Sequence, residues 1–117
     1  MSTLTHHMNK KIHFVRTLFG CSQELMGHII GVTGRTVARW EADETDPHFL
    51  AKQRVQELLN ILDKMDGVIE PGKETEWINT PSESLGNKTP LEIIEQGPSG
   101  VQEVLRLLGR IEWGIVT

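Results

Sequence analysis

The chain has 117 residues, room for one ordinary domain or two small helical ones, and too few for a large catalytic barrel. Its single cysteine, Cys21, allows no internal disulfide, and no paired Cys or Cys/His spacing offers a zinc site, so a reducing compartment and no metal are expected. No apolar run approaches the ~20 residues of a membrane span, and the opening MSTLTHHMNKK lacks the apolar core of a secretory signal, which predicts a soluble, cytoplasmic protein without membrane partners. His6 and His7 read as part of a polar tail.

The net charge of −4 is unevenly divided. From Met1 to Trp40, the five basic residues Lys10, Lys11, Arg16, Arg35 and Arg39 stand against Glu24 alone, a net of +4; the remainder holds seven basic and fifteen acidic residues, a net of −8. An acidic whole with a basic first third suits a protein that presents one end to phosphate and the other to something else.

In chain order, Lys10 to Phe19 reads as a first helix with Phe14, Val15, Leu18 and Phe19 on one side, stopped by Gly20. From Ser22 to Trp40, SQELMGHIIGVTGRTVARW, two helix-sized amphipathic segments meet across a tight glycine-bearing turn. Ser22 is a good N-cap, Met26, Ile29 and Ile30 follow the spacing of a buried helical face, and Gly31 falls where a left-handed C-cap is wanted. Thr33 caps the second segment, in which Val37 and Trp40 share one side and Arg35, Thr36 and Arg39 the other. That is the pattern of a helix-turn-helix, whose second helix enters the DNA major groove, where Arg donates two parallel hydrogen bonds to guanine. The DNA-contacting set predicted here is Gln23 (to a phosphate), Thr33, Gly34, Arg35, Thr36 and Arg39.

The segment resembles the Xre/Cro-type helix-turn-helix, roughly S-Q-E-x-L-A-x-x-L-G-V-S-x-x-T-V-x-R-W-E, and follows it from Ser22 to Glu41 without a gap. Met26 stands for the usual Leu, and Gly27 for the small Ala where the helices cross.

After the polar stretch ending at Pro47, a longer helix is expected from about Phe49 to Met65, with Val55, Leu58, Leu59, Leu62 and Met65 on its apolar face. The turn residues of Asp66 to Gly72 mark a boundary, giving a first domain over 1–66 and a second over 67–117. In the second, Thr80-Pro81-Ser82-Glu83 and Thr89-Pro90-Leu91-Glu92 each read as a capping box with Pro at the first helical position. Two short helices are expected there, stopped by Gly86 and Gly97, and a third box at Ser99 to Gln102 opens a helix with Val101, Val104, Leu105, Leu108 and Ile111 on one stripe. The fold class is therefore all-α.

Glu92, Glu95 and Glu103 have no His or nucleophile beside them, so neither an enzyme nor a cofactor is expected. The ending Glu112-Trp113-Gly114-Ile115-Val116-Thr117 combines an acidic group, apolar anchors and a terminal carboxylate, which either fold back on the core or enter a partner.

This half is similar to the C-terminal toxin-binding domain of the Xre, MbcA and ParS type antitoxins, approximately W-L-x-T-P-x-x-x-L-G-G-x-T-P-L-E-x-L and then V-x-x-L-L-G-R-I-x-x-G. The matching residues are Trp77 to Pro81, Leu85 to Ile94 with Asn87 for the second glycine, and Val104 to Gly114. The resemblance implies a bacterial, cytoplasmic antitoxin of a type II toxin-antitoxin system, partnered by a RES-domain toxin that consumes NAD and repressing its own operon by binding promoter DNA, as a homodimer or a larger hetero-oligomer. Trp77, Leu91, Arg110, Glu112, Trp113, Gly114, Ile115, Val116 and Thr117 are the toxin-binding residues expected on that basis. The alternative is a stand-alone transcriptional regulator whose C-terminal domain serves oligomerisation; the gene neighbourhood separates the two.

Overall fold

The computed structural model describes the chain over 3–114, with side chains from 8 onward, so Ile115, Val116, Thr117 and the side chains of His6 and His7 lie outside the described residues. Among these, every regular element is helical: α1 (Thr3–Phe19), α2 (Gln23–Ile30), α3 (Gly34–Glu41), α4 (Phe49–Met65), α5 (Glu74–Ile78), a 3-10 turn (Glu83–Leu85), α6 (Pro90–Ile94) and α7 (Pro98–Glu112). The all-α expectation holds. Packing divides the chain into Met1–Leu58 and Leu59–Thr117. That division falls inside α4, ahead of the turn that suggested 66/67, because turn residues mark where backbone bends whereas packing decides where a core ends.

In the first unit, α1 is longer than expected and its buried face is Ile12, Val15 and Phe19, extended by the buried amide of Asn9. Phe14 is 57% exposed, because only positions three or four apart from Ile12, Val15 and Phe19 share their face. Asn9 Nδ2 donates to Asp43 Oδ1 at 2.8 Å, joining α1 to the loop after α3. The α2–α3 pair forms as its caps dictate. Leu25 N–H donates to Ser22 Oγ at 3.0 Å, Thr36 N–H to Thr33 Oγ1 at 3.1 Å, and Gly31 takes the left-handed conformation between them. Met26, Ile30, Val37 and Trp40 are buried together with the α1 face. At Gly27 a Cβ would stand 2.6 Å from the Val32 carbonyl oxygen, so glycine is needed here for the backbones to approach as they do.

Helix α4 has the expected limits, opened by His48, whose Nδ1 accepts from Ala51 N–H at 3.2 Å. Its buried side chains are Ala51, Val55, Leu58, Ile61 and Met65; Leu59 and Leu62 sit half-buried at the margin of that stripe.

The second unit corrects two capping expectations. Thr80 opens no helix: its Oγ1 donates back to the Glu76 carbonyl at 2.6 Å and so closes α5, leaving only a 3-10 turn after Pro81. Ser99 forms no box either, since α7 starts at Pro98 with Gly97 as its N-cap. Thr89 does form one, accepting from Glu92 N–H at 3.0 Å while Glu92 Oε1 accepts from Thr89 N–H at 2.9 Å. Hydrogen bonding from Thr89, its backbone N–H first and its side chain second, holds the Glu92 carboxyl below its ordinary range. Asn87 takes a φ of 65°, which Asn tolerates where the family pattern has glycine. On α7 the buried set is Val101, Val104, Leu107 and Leu108, with Leu105 and Ile111 half-buried beside it.

The α6–α7 crossing depends on Gly100, where a Cβ would lie 1.9 Å from the Ile93 carbonyl oxygen; Gly109, in the same helix, faces open space. Gly100→Ala is expected to cost roughly 1–3 kcal/mol through forced displacement of α6, whereas Gly109→Ala should be neutral or stabilising by up to about 1 kcal/mol. Denaturant midpoints of the full chain check this; equal midpoints for the two variants would refute the crossing argument.

Candidate functional site

In the first unit, α3 presents two faces. Val37 and Trp40, the latter 2% exposed, turn inward, and Arg35 and Arg39, an i,i+4 pair, stand exposed with Thr36 half-buried between them. Thr33 Oγ1 lies 3.0 Å from Thr36 Oγ1, so both hydroxyls sit at the N-terminal end of that outward face. Gly34 is half-buried, and a Cβ there would come within 2.8 Å of Glu24 Cγ; its place in the structure is the close packing of α3 on α2.

The orientation of α3 is set by Glu41, its last residue. Glu41 Oε2 accepts from Arg16 Nε at 2.6 Å, and Oε1 accepts from Arg16 Nη2 at 2.9 Å and from Gln23 Nε2 at 3.3 Å. His13 Nδ1 lies 2.9 Å from the same Oε1, which requires the proton on Nδ1, since an ionised carboxylate only accepts. Arg16 Nη1 also donates to the Cys21 carbonyl at 3.1 Å. One carboxylate thus ties α3 to α1 and α2. Burial, which leaves the Glu41 side chain 9% exposed, pushes its pKa up, but the hydrogen bonds from Arg16, His13 and Gln23 and the Arg16 charge outweigh burial and hold it at about 2. The same bond to Glu41 raises Arg16 above its ordinary value.

Gln23, expected at a phosphate, gives one Nε2 hydrogen to Glu41 inside the unit, and Arg16, counted above among the cations of a basic end, is neutralised there. Neither His13 nor Glu41 was anticipated. The available signal was Arg16 itself, a charge four residues after Ile12 and three before Phe19, on the edge of the buried stripe.

In the second unit, Trp77 on α5 is half-buried and forms a wall common to two clefts. One, about 350 Å³, is lined by Ile69, Glu70, Lys73, Glu76, Trp77 and Thr80. The other, about 300 Å³, runs between Trp77, Thr80, Pro81, Ser82 and Glu83. Leu91 corrects an expectation: it is 6% exposed, because α6 buries Pro90, Leu91, Ile93 and Ile94 and keeps its apolar side chains for the core. Arg110 is half-buried in the last turn of α7, Glu112 Oε1 accepts from Lys64 Nζ at 2.6 Å, and Trp113 is 81% exposed beside the exposed Gly114. Trp77 and Trp113 are thus the aromatic residues of this unit that reach the surface. Among the described residues, no group of three His, Cys, Asp or Glu is placed to hold a metal ion, and no helix is long and apolar enough to cross a membrane.

A family model, the antitoxin Xre/MbcA/ParS C-terminal toxin-binding domain, matches residues 70–114, the part of the chain that contains Trp77 and Trp113. The mycobacterial cidal antitoxin MbcA of Mycobacterium tuberculosis and that of Mycobacterium bovis are each 30% identical to this chain over 96 residues, covering 82% of it and 83% of their own length. Among solved structures, a chain of the crystal structure of the M. tuberculosis MbcT-MbcA toxin-antitoxin complex is similar with a TM-score of 0.70 and 25% identity, over 100% of both chains. Fold and comparisons together define an all-helical protein of the antitoxin class. More narrowly, the chain belongs to the family of the MbcA antitoxins.

The Glu41 cluster generates a pH prediction. With a folded-state value of about 2 against an ordinary 4.5, its contribution is complete above about pH 4.5 and is lost as the pH falls toward 2. Its size should be on the order of 2–3 kcal/mol. The denaturant midpoint of the wild-type chain should therefore fall on acidification more steeply than that of Glu41→Gln; parallel curves would remove Glu41 as the acid-sensitive group.

Proposed function

We propose that this chain is the antitoxin of a type II toxin-antitoxin system, binding and neutralising a RES-type, NAD-consuming toxin and repressing its own operon by binding promoter DNA. The observation that carries the reading is the similarity, over the whole chain, to a chain of the MbcT-MbcA complex. The labour is divided as the charges are. Arg35, Thr36 and Arg39 of α3 read the promoter, with Thr33 and the α3 N-terminus against the backbone, while Trp77, Arg110 and the residues from Glu112 onward meet the toxin. The cationic cleft of an NAD-binding partner favours acidic groups such as Glu112. A single short helix reads few base pairs, so operator binding pairs two chains on two half-sites. The protein acts in the cytoplasm, without a cofactor of its own.

Co-expression with the product of the neighbouring gene tests the reading: the two proteins should co-purify, and cells should survive the toxin only when this chain is present. For the DNA arm, replacing Arg35 and Arg39 by Ala should weaken promoter binding by roughly 1–3 kcal/mol for each lost base contact and flatten its salt dependence. Unchanged binding in a gel-shift titration would reject α3 as the reading helix.

For the toxin arm, a chain cut after Ile111 should stay folded and bind promoter but no longer protect cells. Protection by the shortened chain would move inhibition to the surface around Trp77.

A further inference from the structure

The Trp77 clefts have a composition that selects their occupant. Trp77 and Ile69 supply apolar surface, and three carboxylates, Glu70, Glu76 and Glu83, border the two spaces. The cation among the lining residues is Lys73, whose Nζ lies 3.5 Å from Glu76 Oε2 in an i,i+3 pair with side chains 58% and 68% exposed. A pair so exposed contributes little and exchanges readily. The unit as a whole carries five basic residues against ten acidic ones over 59–117. An anion is repelled from such a site, whereas a cation with an apolar stem meets both the Trp77 wall and the exposed carboxylates on the rims.

We infer that these clefts dock a basic segment of a protein partner, an arginine side chain lying on the Trp77 indole with its guanidinium hydrogen-bonded to Glu70 and Glu76. The inference rests on the reading of this unit as the partner-binding half. Arginine fits better than lysine on three counts. Its planar guanidinium stacks on an aromatic face, its fork of donors serves two carboxylates at once, and it is more weakly hydrated, so leaving water costs it less. Lys73, a point charge on a flexible stem, yields Glu76 to it without any change of backbone. Thr80 keeps the floor in place, since its hydroxyl is bonded to the Glu76 carbonyl. Trp77 then does more than complete a small core: it is the surface on which the partner's cation is recognised.

The test has two arms, both on the full chain. In the first, the peptide acetyl-Arg-Gly-Arg-amide is titrated into the ¹⁵N-labelled protein, following the Trp77 indole N–H and the Lys73 and Thr80 amides. Saturable shifts at these positions are expected, weaker with the lysine analogue and absent with acetyl-Glu-Gly-Glu-amide. The Glu70→Gln, Glu76→Gln double variant and Trp77→Ala should each weaken binding about tenfold, and Trp77→Phe less. Shifts that are absent, that spread over all acidic surfaces without saturating, or that survive the Glu substitutions overturn the inference. So does a Trp77 shift that appears on concentrating the protein alone, which would give the cleft to a second copy. In the second arm, the affinity of the purified toxin for wild type and for the double Glu variant is measured by calorimetry, with unchanged amide spectra of α6 and α7 as the check on folding. An affinity loss of about tenfold supports the inference. Equal affinities overturn it and leave toxin binding standing, whereas failure of the toxin to bind wild type while the peptide still saturates overturns the toxin reading and leaves the cleft as a site for basic segments.

Discussion

A helix of eight residues has no stability of its own in water, so α3 exists because of what holds it. Val37 and Trp40 bury one side, but burial alone leaves a short helix free to rock about its apolar contacts. Glu41 removes that freedom. Placed at the helix end, it receives hydrogen bonds from α1 through Arg16 and His13 and from α2 through Gln23, so that both neighbouring helices converge on one carboxylate. Such an arrangement is cooperative and asymmetric. A satisfied buried ion pair adds modest net stability, yet loss of one partner strands a charge in a place that water reaches poorly. The outward face of α3, with Arg35 and Arg39, is oriented by this constraint.

The same constraint revises the meaning of the charge count. Of the five basic residues in the first third, Arg16 is neutralised by Glu41 and lies only 20% exposed, so it adds nothing to a field that could attract phosphate. Lys10, Lys11, Arg35 and Arg39 remain exposed. A sum along the chain cannot separate a cation that faces solvent from one spent on packing; the position of Arg16 on the edge of an apolar stripe can.

What was legible in the residues followed from local rules with a single winner. Ser22, Gly31 and Thr33 cap the helices they precede or follow, the limits of α4 match the amphipathic pattern, and the Thr89 box forms as written. Where two local rules competed, the pattern misled. Thr80 has the same Thr-Pro-x-Glu context as Thr89, but it stands at the end of α5, and bonding the Glu76 carbonyl displaces the cap it could have offered the next segment. Stripes were misread at their margins for a different reason. Phe14 against Ile12, Leu59 and Leu62 against Ile61, and Leu105 against Leu107 are choices between neighbouring apolar residues, decided by which side the partner helix lies on. Leu91 belongs to the core because α6 spends its apolar residues there. The clefts around Trp77 have no counterpart in a linear pattern: Lys73, Glu76, Trp77 and Thr80 recur at helical spacing along one, but Ile69 and Glu70 from the preceding loop complete it, and Pro81, Ser82 and Glu83 close the other.

The last turn of α7 shows how this unit keeps an aromatic outside without leaving it loose. Trp113 is the residue that ends the helix, its N–H still bonded to the Gly109 carbonyl at 3.2 Å, while its ring is 81% exposed. The residue before it is held from the side: Lys64 of α4 reaches Glu112 at 2.6 Å, an ion pair with both side chains more than a third exposed. In energy such a pair is worth at most about 1 kcal/mol, and salt weakens it. Its value is geometric. The Gly109 bond holds the Trp113 backbone in the helical turn, and the pair braces the residue before it until a partner competes for Glu112, so a partner that buries the ring has less backbone entropy to remove. An exposed aromatic on an ordered helix end is a poor way to stabilise a monomer and an efficient way to present an anchor. Trp77, by contrast, lies half-buried between clefts with carboxylates on their rims. The two surface tryptophans of this unit are therefore built differently: Trp113 offers area to be covered, and Trp77 offers a wall against which something charged is held.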